Sequence, residues 1–265
     1  MSNFSPSTIP ILRRKCGFTS IALATMMLSV VNSAWAETVS YRQGQDSGYG
    51  VYAGVSDTYI DSSYPDRINN TEDPNTLWVD FPTTQFMIAF DGIFGISPGQ
   101  IPLGSAIDSA TLTLYSINSG TSKNPTRMLY PWNAETLTWN NAKLGGNSQP
   151  GIQVIDPDRE AEFAGNGPGT SIDISTVDAP FDVDITTLVQ EWSDGAPNYG
   201  MLLDMHSDNA LGVASSESSV VAQRPMLTVV YTVPEPSTGY LLLCGSLALV
   251  VAFGRKRPTN NQFPK

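Results

Sequence analysis

Between Tyr41 and Val233, apolar residues recur at every second position in short segments broken by Gly, Pro, Asn and Ser, as in strands buried on one face. Phe86, Ile88 and Phe90 alternate with Met87, Ala89 and Asp91. Ala110, Leu112 and Leu114 alternate with Thr111, Thr113 and Tyr115, and Leu227, Val229 and Tyr231 with Met226, Thr228 and Val230. Residues 77–81, 127–130, 172–174, 181–183 and 201–205 add further strand candidates. About eight or more such strands in roughly 200 residues predict an all-β fold, a sandwich of two antiparallel sheets.

One segment keeps a helical period. Ile185, Leu188, Val189 and Trp192 stand at i, i+3, i+4 and i+7, with Asp184 placed to cap the first turn and Pro180 and Gly195 bounding the run. It predicts one short helix across an edge of the sandwich.

The two ends depart from both patterns. Arg13, Arg14 and Lys15 precede an apolar run at 18–31 and then Ala34-Trp35-Ala36, the order of a secretory signal cut after Ala36. A secretory signal peptide, with a helix in its apolar run, is therefore expected over 1–36, with a lead-in at 37–49 and the sandwich at 50–232. Near the other end, residues 239–254 are apolar or small and are followed by Arg255, Lys256 and Arg257. As a helix this run would span about 24 Å, short of the roughly 30 Å hydrocarbon core, so a permanent span would need local thinning or snorkelling. Both cysteines, Cys16 and Cys244, lie in these terminal runs, so the domain between them holds no disulfide.

Setting the ends aside also sharpens the charge. Residues 37–233 carry 7 Lys and Arg against 24 Asp and Glu, a formal −17 where the whole chain is −11. Such a surface repels phosphate backbones and argues against a nucleic-acid partner, while cations, Ca²⁺ above all, become plausible. The single histidine, His206, has no Gly-x-Ser-x-Gly elbow to serve and cannot build a zinc site alone. The acidic alternation Asp156, Asp158, Glu160, Glu162 lacks the glycine and the final acid of an EF-hand loop, and reads as a solvated loop. Catalytic residues are therefore expected to be none. Aromatic faces that could stack on sugar rings are the better lead. Trp139 and Trp192 sit in apolar runs and read as core, whereas Tyr49, Tyr52, Tyr64 and Tyr199 lie beside Gly, Pro or Asn and are the surface candidates for carbohydrate binding.

The block Trp132-Asn-Ala-Glu135-Thr-Leu-Thr-Trp139-Asn140-Asn141 resembles the tryptophan-rich motif of the DNRLRE (disaggregatase-related) domains, regarded as carbohydrate-binding modules. Asp57-Thr-Tyr-Ile60, the strand Phe86 to Asp91, Ile107 to Tyr115, Asp182 to Trp192, Asn198 to Leu203 and Ser215 to Tyr231 resemble other segments of that family in the same order, over about 50–232. The resemblance implies a jelly-roll sandwich, binding to polysaccharide rather than cleavage, and a structural Ca²⁺ for which Asp57, Asp61 and Asp91 are the candidate ligands. Two features depart from the family pattern: Asn69-Asn-Thr-Glu-Asp-Pro-Asn75 stands where Asn-x-Gly is expected, and Gln85 where an arginine is usual. With −17 nearby, this favours a neutral glycan, or an acidic one bridged by Ca²⁺.

Residues 233–258, with Pro234-Glu235-Pro236, the short apolar run and the basic cluster, resemble a PEP-CTERM sorting segment ahead of a polar tail at 259–265. That resemblance implies processing by an exosortase and delivery to the envelope, the cell surface or an extracellular matrix rich in exopolysaccharide. The expected function is thus that of an exported polysaccharide-binding protein. A structural matrix or adhesion protein is the alternative, and a polysaccharide lyase or glycosidase comes last.

Overall fold

The computed structural model describes residues 35–80, 82–146, 148–153, 158, 171–204 and 209–233. Both expected terminal helices, the Pro234-Glu235-Pro236 triplet, His206 and all of the acidic stretch except Asp158 lie outside the described residues.

The strands are β1 (Ala36–Arg42), β2 (Val55–Asp61), β3 (Thr76–Val79), β4 (Thr84–Phe90), β5 (Ala106–Asn118), β6 (Gly120–Lys123), β7 (Thr126–Arg127), β8 (Ser171–Ile174), β9 (Ala179–Asp184), β10 (Met201–Leu203), β11 (Leu211–Ala214) and β12 (Met226–Thr232). The helices are α1 (Asn69–Glu72) and α2 (Thr186–Ser193). A large antiparallel sheet runs β1-β12-β5-β11-β3 with β9 also on β5, and a smaller one runs β2-β4-β10-β7. From β1 to β5 the chain alternates between the two sheets, giving the two-sheet antiparallel sandwich that the alternating pattern predicts, with the jelly-roll character that the resemblance implies.

The long strand β5 is the spine. Thr111, Leu112 and Thr113 each pair with β12 on one edge and with β9 on the other. Its buried positions include both Ile107 and Ala110, three residues apart. A register shift opposite Val230/Tyr231 accounts for this, because the extra residue of a bulge resets which side chains face inward. Ala110, Leu112 and Leu114 then meet Leu227, Val229, Phe86, Ile88 and Phe90 in the main core.

Below the end of β9, α2 takes over the free edge of β5. Ile185 N donates to Ala110 O at 2.9 Å, Ala110 N donates to Thr186 Oγ1 at 2.9 Å, and Ile107 N donates to Gln190 Oε1 at 2.7 Å. The helical stripe holds as expected, with Ile185, Leu188, Val189 and Trp192 all buried. Asp184 Oδ1 accepts from Thr186 N at 2.9 Å, so the carboxylate braces the first turn from one residue before the N-cap, Ile185.

Two expectations are corrected. The lead-in 37–49 is not outside the sandwich: its Glu37–Arg42 portion lies in β1, whose Val39 and Tyr41 pack on the core while β12 satisfies its backbone. Nor is β4 buried on one face with the other mixed or polar, since every residue from Thr84 to Phe90 is buried. Met87, Ile60 and Leu202 on its second face form another core with Met128, Leu137, Ala142 and Ile152, supplied by the segment after β7. That segment lies over the outer face of the small sheet. Gln85 fastens it there: its amide donates to Ile152 O at 3.1 Å and to Asp204 Oδ1 at 3.0 Å, and accepts from Ile152 N at 2.9 Å. Gln85 is therefore a buried clamp.

Candidate functional site

The covering segment contains the tryptophan block, and most of the block's polar side chains shape its turns. Asn133 Oδ1 accepts from Glu135 N at 2.8 Å, Asn141 Oδ1 from Thr138 N at 2.8 Å, and Thr138 Oγ1 from Asn141 N at 3.2 Å. Such side-chain closures let a loop without regular structure satisfy its own backbone. Leu137 and Ala142 point into the second core, and Trp139, half-buried rather than fully core as read from the sequence, packs beside them with its ring over Gly151. A Cβ at Gly151 would stand 2.8 Å from that ring, and its φ of +76° lies in the left-handed region, so the position favours glycine on both counts.

What remains is an open hollow of about 500 Å³ lined by Pro131, Trp132, Asn133, Thr136, Leu137, Asn141 and Leu144. Trp132 is half-buried, and its indole N–H donates to Tyr199 O at 2.8 Å, which fixes the plane of the ring. The 64–67 turn is tied to the same block, since Asn140 N donates to Pro65 O at 2.9 Å and Asn140 Nδ2 to Asp66 Oδ1 at 2.8 Å. Tyr64 stands exposed on that turn with the Arg67 guanidinium 5.7 Å from its ring centre. A half-buried, hydrogen-bonded indole lining an open hollow together with a threonine hydroxyl and asparagine amides is the chemistry that holds a sugar ring by C–H/π contact and hydrogen bonds.

The four tyrosines do not form one platform. Tyr64 is exposed with Arg67 over its ring, and Tyr199 is half-buried, its carbonyl bonded to Trp132. Tyr52 packs on Tyr41 with ring centres 5.1 Å apart and donates to Asp91 O at 2.8 Å; burial, then the nearby Asp91 charge, push its hydroxyl pKa up. Tyr49 is exposed, with its ring on Gly99, and borders a separate hollow of about 570 Å³ with Glu37, Ile96, Tyr231 and Val233. This second hollow adjoins the paired strand ends, where Ala36, the expected cleavage residue, stands opposite Thr232. The two ends of the sandwich chain thus leave side by side.

The three aspartates named as Ca²⁺ ligands are also dispersed. In the β2–β4 register Asp61 stands opposite Thr84 and Val55 opposite Phe90, so Asp61 and Asp91 lie roughly 20 Å apart at opposite ends of the pair. Asp61 is half-buried and accepts from Ser63 N at 2.7 Å, while Asp91 is exposed beyond the end of β4. Asp57 differs from both. It is 1% exposed, faces the sandwich interior on the side of Ile88, and accepts from Ser216 N through Oδ2 at 2.8 Å. Burial and the adjoining Glu217 carboxylate hold its carboxyl well above the usual carboxylate range. Among the described residues no three His, Cys, Asp or Glu side chains gather as a metal cluster.

Comparison with protein-family models and with curated protein sequences gave no significant match to the chain.

Proposed function

We propose that this protein is an exported, non-catalytic polysaccharide-binding protein whose glycan contacts centre on the Trp132 hollow. The observation that carries the reading is the hydrogen-bonded indole of Trp132 lining an open hollow with Asn133, Thr136 and Asn141, built by the same block that resembles a carbohydrate-binding motif. Tyr64 on the adjoining turn offers a second aromatic face for an extended chain. Of the adjoining Asp57 and Glu217 carboxylates, Asp57 is only 1% exposed, which keeps it from a glycosidic bond at the surface. The resemblance at 233–258 supports sorting by an exosortase to the envelope or matrix, with the run 239–254 inserted transiently in the membrane. The cell's own exopolysaccharide is then the natural ligand.

A structural matrix or adhesion role is favoured by one observation: Asn141 and Thr138 of the block, like Asn133 Oδ1, are already engaged in holding the loop. A glycan array probed with the purified protein, with and without Ca²⁺, separates the two. The reading expects one family of neutral or uronic-acid polymers to bind, whereas an array blank in both conditions favours the structural role. Mass spectrometry of the mature protein tests the sorting, which an intact chain through Lys265 would refute.

A further inference from the structure

The end of the sandwich at which the chain enters and leaves carries a group of exposed apolar side chains. Ala36 of β1, Thr232 of β12 and Ala106 of β5 stand in one row there, and the loop from β4 to β5 leads into that row. Residues 92–107, which make up this loop and the start of β5, contain no Asp, Glu, Lys or Arg, although the domain is formally −17. Ile96 is fully exposed on the loop, and Leu103 and Tyr49 are each 65% exposed. Ile96, Tyr49 and Val233 border the hollow of about 570 Å³. Apolar residues scattered singly over a surface are ordinary, but a group of them on an uncharged face marks a contact surface.

The loop presents these side chains firmly. Its stem is core, since Ile93 and Ile101 are fully buried and Ile101 N donates to Ile93 O at 2.8 Å. Gly95 N donates to Ile101 O at 3.0 Å. The Gln100 amide spans the turn, donating to Gly92 O at 2.7 Å and accepting from Ser97 N at 3.1 Å, and Tyr41 OH donates to Gly99 O at 2.8 Å. A loop braced in this way holds Ile96 outward and loses little freedom when a surface receives it.

The chain that follows indicates what that surface is. The apolar run 239–254 begins six residues after Val233, a reach of at most about 20 Å when extended. With that run in a membrane, this face is the part of the sandwich tethered closest to the lipid. We propose that it is a membrane-contact face, in which Ile96 and Leu103 enter the interfacial layer of the bilayer and Tyr49 lies at the headgroups. The hollow is lined by no lysine or arginine. Glu37, whose Oε2 accepts from Tyr231 OH at 2.9 Å, and Asp46, beside Tyr49, add negative charge, so the face suits zwitterionic rather than anionic lipid. The inference rests on the reading of 239–254 as a membrane run and is independent of glycan binding.

The test uses the full chain reconstituted in phosphatidylcholine vesicles that contain nitroxide-labelled lipid. An environment-sensitive fluorophore is placed at Ile96→Cys or Val220→Cys, each combined with Cys16→Ser and Cys244→Ser, or at the native Cys244 in Cys16→Ser. Val220 is exposed in the loop that enters β12 at its other end. Labels at 96 and 244 should shift to the blue and be quenched by the lipid nitroxides, while a label at 220 should not. Ile96→Asp should lower the quenching of a label at Leu103→Cys severalfold, and anionic lipid added to the vesicles should weaken the quenching at 96. Quenching at 244 with equal signals at 96 and 220 would overturn the contact face and leave the membrane run standing. A blue shift at 96 without lipid quenching would overturn it too, because a second copy would then cover the face. No quenching at 244 would remove the tether, and the inference with it.

Discussion

Trp192→Ala is expected to cost about 3–5 kcal/mol of folding stability and to lower the melting temperature by roughly 10 °C. Trp192 is 1% exposed and is among the largest fully buried side chains. Its indole N–H has no partner, so truncation removes packing without orphaning another group. The loss spreads because α2, at eight residues, is too short to persist without tertiary contacts. Through Thr186 and Gln190 it also supplies the acceptors for Ala110 N and Ile107 N on the free edge of β5. Loosening the helix therefore exposes the spine of the large sheet. Trp192→Phe should recover most of the stability. Chemical denaturation reads the difference directly, and a cost below about 1 kcal/mol for the alanine variant would mean that α2 does not anchor β5.

Gln85→Leu comes next, at about 3 kcal/mol. The replacement keeps the approximate volume but removes the amide that satisfies both Ile152 N and Ile152 O and reaches Asp204 Oδ1. Stranding buried polar groups costs about 1–3 kcal/mol each, more than a hydrogen bond contributes when made. Its signature should be local before it is global: faster amide exchange and earlier proteolysis in 128–153, with β5 and β12 still protected. Uniform loss of protection, or none, would contradict the clamp.

These two sites differ in how far they were legible in the sequence. The period of 3.6 through Ile185, Leu188, Val189 and Trp192 identifies the helix because its partners lie on one stripe. The alternation in β5 and β12 likewise declares their buried faces. In β4 the same alternation misleads, because Met87 is covered by residues 41 or more positions later, Met128 and beyond, and only the fold brings them there. Gln85, polar in an otherwise apolar strand, was a signal of a specific partner that the sequence could not identify.

The candidate sites divide in the same way. The tryptophan block was visible as a motif, but not that its asparagines and threonines largely hold its own turns. Asp57 stood out within a strand, whereas Glu217, whose carboxylate adjoins it, lies 160 positions away and shares no spacing with it. Tyr52 and Tyr199, judged by their Gly, Pro or Asn neighbours, turned out to pack inward because local turns do not decide which way a side chain faces.

The central claim is that the Trp132 hollow holds a glycan, and affinity electrophoresis through gels containing the exopolysaccharide of the producing cell tests it most directly. The wild-type protein and Tyr49→Ala should be retarded alike, while Trp132→Ala, with its fold verified by circular dichroism, should bind about tenfold more weakly, as expected for about 1.4 kcal/mol of lost stacking and apolar contact. Retardation of Trp132→Ala equal to the wild type, or no retardation of the wild type in any polymer gel, would contradict it.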